Sequence, residues 1–342
     1  TYVSTPAQGS FTIDANPTSL TTSGTLQTMQ PSIDWSAPAD VSGTYTYEVE
    51  VSQVSDFSST VLTGSASSDT SYSLASNSQA LSAGSYHYRV RSTKSGASSD
   101  WIASTFTVDA APVDLSPSST TVDLQPLLAW SASFTTSETV TYNVDLSTDG
   151  GASWTNVVTG HSSGSFDYAT AGTGIDDGSY TFRVQTVVLT ETSAYAEAAF
   201  TVDARPADLA VQAVDAGGAS ISGIFTAATS GAQPTLSWTR TMGTADVQYE
   251  LTQGSFDESN AVTLFADSVQ PTTTLADGTW NWRVRTFLDG TSGSAFSDWV
   301  TGTSFTVDNT APNVTSDPDI SLDGGNTHTF DRVVSTGVSA SD

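Results

Sequence analysis

Three kinds of side chain in this sequence have the types and spacings for chemistry: histidines near hydroxyls, carboxylates at turns, and arginines beside aromatic rings. Gly160-His161-Ser162-Ser163-Gly164 has the Gly-x-Ser-x-Gly spacing of a nucleophile elbow. That elbow requires a strand-to-helix turn. Here the motif follows a β-rich stretch in a chain saturated with Ser and Gly, where chance supplies such matches, and no catalytic role is expected of it. The three histidines, His87, His161 and His328, fall in three different units of the repeat described below and cannot share a metal site within one unit. Cysteine is absent, which excludes disulfides and thiolate metal sites. No paired-His motif, Gly-rich phosphate loop or basic nucleic-acid pattern occurs. The sequence therefore reads as a protein without enzymatic activity.

Charge narrows the partners. The 342 residues carry 36 acids and nine bases, a net charge of −27, and Lys94 is the only lysine. Such a surface repels nucleic acid and anionic membranes. It suits high ionic strength, divalent cations, or both. No apolar run approaches the roughly 20 residues of a membrane span, and the chain opens at Thr1, without a signal peptide. It reads as a processed or excised portion of something longer.

The elements that position these residues are repeated. Leu81-Ser-Ala-Gly84-Ser-Tyr86-His-Tyr88-Arg89-Val90-Arg91 returns as Ile175-Asp-Asp-Gly178-Ser-Tyr180-Thr-Phe182-Arg183-Val184-Gln185 and as Leu275-Ala-Asp-Gly278-Thr-Trp280-Asn-Trp282-Arg283-Val284-Arg285. The glycine marks a turn. After it, two aromatics and a valine alternate, so they share one strand face while the arginines occupy the other. Trp280 and Trp282 are thereby expected in a core, not on a sugar-stacking surface. Upstream, Gln-Pro-x-x-x-Trp recurs at Trp35, Trp130 and Trp238, followed by alternating strands at Tyr47-Glu-Val49, Tyr142-Asn-Val144 and Tyr249-Glu-Leu251. A closing Phe-Thr-Val/Ile-Asp strand recurs at Phe11, Phe106, Phe200 and Phe305, at intervals of 95, 94 and 105 residues. Those intervals suit β-sandwich modules.

The order Trp strand, Tyr-x-Val strand, turn-Gly-x-aromatic-x-aromatic-Arg-Val strand and Phe-Thr-Val-Asp strand resembles the fibronectin type III and related immunoglobulin-like repeats of prokaryotic surface proteins. The resemblance covers residues 15 to about 309. It implies an all-β fold of tandem immunoglobulin-like β-sandwiches arranged end to end, with modules at 15–110, 111–204 and 205–309. Residues 1–14 then carry the last strand of a preceding module, or a donor strand that completes a neighbouring molecule's sheet. Residues 310–342 begin a fourth module. A Pro near each junction stiffens it.

Two groups of residues acquire roles from this frame. Asp14, Asp109, Asp203 and Asp308 end the closing strands, at positions that in cadherin-like and bacterial immunoglobulin-like arrays help to bind Ca²⁺. Asp317, Asp319 and Asp323 gather further oxygens in a turn-prone stretch. Calcium at Asp109, Asp203, Asp308, Asp317, Asp319 and Asp323 is thus one expectation, and turn capping is the plainer alternative. The arginines Arg89, Arg91, Arg183, Arg283 and Arg285 lie on outward faces, and Trp101, Tyr195 and Trp299 precede the closing Phe by five, five and six residues. Because the last two strands of such a sandwich are neighbours, the rings should lie on the guanidinium planes, as in the Trp–Arg ladders of cytokine-receptor fibronectin domains. With Gln185 and Tyr195, the second ladder should be the weaker. Trp154 is left as the best candidate for an exposed, sugar-stacking ring.

The expected function is a structural rod at the outside of a cell, in a surface layer, sheath or filament. Its partners would be copies of itself, other surface proteins and glycans, with no nucleic acid and no membrane span in this segment. The stalk of an adhesin and the spacer modules of a secreted glycan-degrading enzyme are the alternatives.

Overall fold

A computed structural model describes residues 15–39, 43–214, 220–221, 224–225 and 233–308. The donor-strand expectation for residues 1–14, including Phe11, Ile13 and Asp14, lies outside the described residues, as does everything expected of residues 310–342.

The first module contains β1 (Thr25–Leu26), β2 (Ser32–Asp34), β3 (Thr46–Ser52), β4 (Thr60–Ser67), β5 (Ser71–Ser73), β6 (Gly84–Lys94), β7 (Ala97–Ser98) and β8 (Ile102–Val108). The second contains β9 (Val113–Ser116), β10 (Thr120–Thr121), β11 (Leu127–Ser131), β12 (Val140–Ser147), β13 (Thr155–His161), β14 (Ser165–Asp167), β15 (Gly178–Val188) and β16 (Glu191–Val202). The third contains β17 (Ala207–Val214), β18 (Ser220–Ile221), β19 (Ile224–Phe225), β20 (Thr235–Thr239), β21 (Asp246–Thr252), β22 (Val262–Leu264), β23 (Ser268–Val269), β24 (Gly278–Leu288), β25 (Ala295–Phe296), β26 (Val300–Thr301) and β27 (Phe305–Val307).

Each module packs a large sheet on a small one. The large sheets run β1-β8-β6-β3-β4, β10-β16-β15-β12-β13 and β19-β27-β24-β21-β22. The small sheets are β2-β5, β14-β11-β9 and β18-β17-β20-β23. In all three the opening segment begins beside the small sheet and then crosses to pair in parallel with the closing strand. That crossing covers the closing strand's edge with the module's own backbone, which protects it from stray pairing.

Alternation builds the cores. Along β6, Tyr86, Tyr88 and Val90 are buried while Arg89 and Arg91 face outward; in β15 and β24 Phe182, Val184, Trp282 and Val284 are likewise buried, and Tyr180 and Trp280 are half-buried against the same cores. Across the sandwich Trp35 meets Tyr47 at 5.1 Å and Trp130 meets Tyr142 at 5.3 Å between ring centroids. Each long strand starts from a pinned corner. Tyr86 Oη donates to the Ser82 carbonyl, Tyr180 Oη to that of Asp176 and Trp280 Nε1 to that of Ala276, each at 2.9 Å. The aromatic two residues after the turn glycine is therefore the corner residue. Gly278, with φ of +123°, shows why the turn takes glycine.

The third module departs from the sequence alignment. Tyr249 pairs with Val284, the place held by Val49 opposite Val90 and by Val144 opposite Val184. Val247 therefore stands where Tyr47 and Tyr142 stand, two residues from the alignment that the tyrosines suggest. The reason is volume. Trp282 replaces Tyr88 and Phe182, is fully buried, and lies 6.3 Å from Trp238. A smaller neighbour keeps the core filled. The closing strand also breaks between β26 and β27, where Gly302 N–H donates to the Trp282 carbonyl and Trp282 Nε1 donates to Thr303 O. This break accommodates the extra residue between Trp299 and Phe305.

A Cβ at Gly302 would fall 2.1 Å from the Trp282 ring. Gly302→Ala should accordingly destabilise the third module by roughly 1–3 kcal/mol. Urea unfolding followed by tryptophan fluorescence reads this directly, and an unchanged midpoint would show that the Trp282 site is not closely packed.

Candidate functional site

The arginines of the long strands stand in ordered stacks on the outer face of each large sheet. In the first module Arg89 lies between Phe57 (4.3 Å) and Trp101 (4.5 Å), and Arg91 lies on Trp101 at 4.5 Å. In the second, Arg183 lies between Trp154 (4.2 Å) and Tyr195 (4.1 Å). In the third, Arg283 lies between Phe256 (4.6 Å) and Trp299 (4.2 Å), and Arg285 lies between Trp299 (4.4 Å) and Phe296 (4.2 Å). The second ladder is the shortest and its Tyr195 is exposed. Trp154 is a correction: its ring is half-buried against Arg183 instead of standing free for a sugar.

Beneath the rings runs a row of acids on the neighbouring strand. Register places Glu50 opposite Arg89, Glu48 opposite Arg91, Asp145 opposite Arg183 and Glu250 opposite Arg283. The guanidinium edges donate to them, at 2.7 Å for Arg89 Nε to Glu50 and 2.9 Å for Arg91 Nε to Glu48. The Arg183 and Arg283 Nε atoms reach Asp145 and Glu250 at 3.0 Å. Glu250 is only 2% exposed, and its other oxygen accepts the Asp257 N–H. Gln185 keeps the place of an arginine and bonds Asn143, so both members of that pair are neutral. The partner acids and the ring on the other face of the first arginine of each stack, Phe57, Trp154 or Phe256, were not legible as a set. They come from another strand and its following loop, and only the fold brings them to the arginines.

Every arginine among the described residues is paired with an acid. The Lys94 ammonium lies 5.1 Å from the centre of the Tyr45 ring. The positive charges among the described residues are thus engaged by acids or rings.

The remaining motifs resolve as follows. Gly160-His161-Ser162-Ser163-Gly164 spans the end of β13 and the turn into β14, with no helix following. His161 Nε2 lies 2.7 Å from the Ser165 carbonyl, which can only accept. His87 is half-buried on β6, and His328 lies outside the described residues. Asp109 accepts the Ala111 N–H at 3.3 Å. Both Asp203 oxygens are held by Arg205 at 2.7 Å, which keeps its carboxyl below the usual range. Asp308 follows β27. Among the described residues no group of three or more His, Asp or Glu is placed to hold a metal ion; Asp317, Asp319 and Asp323 lie outside them.

The junctions form a second constellation. Val188 of β15 is fully buried in the core of the first module, with Phe134 and Val140 against the same cluster. Ala295 is likewise fully buried in the core of the second module, joined by Met242 and Leu288. The turn before each long strand grips the next module's hairpin. Ala83 N–H donates to Thr192 O at 2.8 Å, and Asp177 N–H donates to Phe296 O at 3.0 Å. Asp176 accepts the Phe296 N–H at 2.8 Å, and Asp177 accepts those of Ala204 (2.8 Å) and Asp298 (2.9 Å). Burial, reinforced by Asp203 and Asp298, holds the Asp177 carboxyl above the usual range.

Strand order, parallel closing pair and pinned corner agree in all three units. They are fibronectin type III-like sandwiches. No family model matches the sequence, and no curated protein matches it. Among solved structures the chain is similar to the FN1–FN3 domains of chicken CNTN1, at 12% identity over 85% of this chain and 99% of that one, with a TM-score of 0.22. It is similar to the chicken interferon gamma receptor alpha chain, at 15% identity over 55% and 98%, TM-score 0.28. It is also similar to a two-domain fibronectin type III segment of chicken tenascin, at 15% identity over 55% and 99%, TM-score 0.32. Scores of that size fix neither the arrangement of the modules nor a site. No helix among the described residues is long and apolar enough to cross a membrane.

Because Glu250 is buried beneath it, Arg283→Ala strands a carboxylate as well as losing two rings. It should cost the third module about 3–5 kcal/mol. Arg183→Ala leaves Asp145 with Asn156 Nδ2 at 3.0 Å and should cost about 1–2 kcal/mol. Urea midpoints of the two variants provide the comparison; equal losses would mean that the buried acid is not what sets the cost.

Proposed function

We propose that this chain is a non-enzymatic extracellular structural protein, a rod segment of immunoglobulin-like modules in a cell-surface layer, sheath or filament. The observation that carries the reading is the shared core at both junctions. Val188 and Ala295 each complete the interior of the preceding module. Two modules joined in this way bend only by exposing apolar surface, at about 25 cal/mol per Å². The backbone N–H groups of Phe296 and Asp298, donating to Asp176 and Asp177, add direction to the second of these contacts. An acidic exterior keeps neighbouring rods soluble and apart until specific contacts form. Along the rod the neighbours are modules of the same kind; across it they are other copies, other surface proteins or glycans.

Imaging native cells by cryo-electron tomography with a tagged chain tests the setting. An ordered lattice or fibre supports the reading, and sparse bristles carrying a terminal binding head would overturn it in favour of an adhesin stalk. The stiffness has its own test. Val188→Lys should leave three folded modules but release the first junction, lowering the first module's stability by roughly 1–3 kcal/mol. Small-angle scattering should then change from one maximum dimension to a broad distribution. Scattering that matches the unaltered chain would show that Val188 does not set the stiffness.

A further inference from the structure

The flank of the second module holds chemistry that the rod does not use. In the first module the gap between β4 and β5 is closed by the Tyr72 ring lying on Gly64, where a Cβ would be 2.3 Å from the ring. In the second module Val158 stands opposite Val144 as Gly64 stands opposite Val49, and Phe166 stands opposite Leu128 as Tyr72 stands opposite Ile33. A ring cannot lie flat on a valine as it does on glycine. The pairing of β12 with β13 also shifts register twice, between Tyr142 and Val144 and between Val144 and Asp145. A cavity of about 480 Å³ opens beside β13 and β14, with Ser294 of the third module among its lining.

Its lining is specific. Phe166, Tyr168 and Tyr180 supply rings, and Thr148, Thr155 and Asn156 supply polar groups. Tyr168 is 6% exposed and lines this cavity, and burial pushes its pKa up to about 12. It is a proton donor throughout the physiological range. The same position in the first module is Leu74, fully buried. The exchange puts a hydroxyl where the first module has only apolar atoms. A second depression of about 450 Å³ adjoins the first, sharing Thr148 and Tyr180 and lined by hydroxyls such as Thr120, Ser179 and Thr201.

Together these depressions offer ring faces and hydroxyls with one carboxylate, Asp176, and no cation. An anionic ligand would find no counter-charge in a chain of net charge −27. A bulky apolar ligand would strand the hydroxyls. A neutral sugar has apolar C–H faces for the rings and hydroxyls for the rest. We propose that this flank binds a neutral glycan, with one sugar ring against Tyr180 and Phe166 accepting a hydrogen bond from Tyr168 Oη, and the next ring in the adjoining depression. The site goes beyond the rod reading and does not depend on it.

The test uses the full chain, labelled with ¹⁵N, and neutral trisaccharides built on glucose, mannose and N-acetylglucosamine, with a sulfated trisaccharide as control. At least one neutral probe should saturably shift the amides of Thr155, Tyr168 and Tyr180, and the sulfated probe should not. Tyr168→Phe should weaken binding about tenfold while leaving the melting temperature unchanged, since it removes only a hydroxyl at the cavity wall. Two results would overturn the proposal. One is the absence of saturable shifts with every neutral probe at millimolar concentration. The other is a Tyr168→Phe variant that binds as before but melts lower, which would mean that the hydroxyl serves an internal water.

Discussion

The structure depends on an arginine side chain whose every surface is occupied. A guanidinium has two flat faces and an edge of donors. In Arg283 the faces meet Phe256 and Trp299, and the edge meets Glu250. One side chain thus ties β24 to β21, to the loop beyond β21, and to the approach of the closing strand. In a chain without cysteine, no covalent bond spans these elements. The stack performs the work of a staple while remaining compatible with a sheet's outer face, because it covers apolar rings with charge instead of leaving them to solvent. It also accounts for the choice of base. A lysine ammonium is a strongly hydrated point charge and has no planes to offer two rings at once.

The same economy of charge shapes the exterior. With the described arginines consumed by acids and rings, the acidic excess has no internal counter-charge. The outward property of the protein is then a by-product of its internal construction. The acids left over set the sign of the field that the exterior presents.

Much of this was legible in the sequence, for reasons that differ by element. Alternation after Gly84, Gly178 and Gly278 is local, so the core and outer faces of the long strands follow from period two alone. The ladder rings Trp101, Tyr195 and Trp299 were legible because the last two strands are neighbours in chain and in space. The acids were not, since Glu50 and Arg89 meet only through a register that no local pattern encodes. The slip at Tyr249 has the opposite cause: the residue type matched, but Trp282 had already taken the volume, and packing overrode the pattern. The corner at Tyr86, two residues beyond its glycine, became clear only from the hydrogen bond to Ser82. Asp176 and Asp177 were hidden in plain view as turn residues, because their partners belong to the next module.

The junctions obey a rule that the three copies make readable. Four residues beyond the buried valine of the long strand stand Lys94, Val188 and Leu288, and four beyond the first tryptophan stand Ala39, Phe134 and Met242. Val188 and Phe134 enter the core cluster of the first module; Leu288 and Met242 enter that of the second. These two positions are the upper face of a module, and an apolar pair there is what engages the interior of its predecessor. The first module carries a small residue and a cation at the same places, and the cation lies over Tyr45 of its own module. Burying an ammonium in a neighbour's apolar interior would cost several kcal/mol without a partner. The upper face of the first module thus differs in chemistry from the other two. Two side chains in each copy thus set whether the upper face of a module offers apolar surface to its predecessor, with the fold of the module itself unchanged.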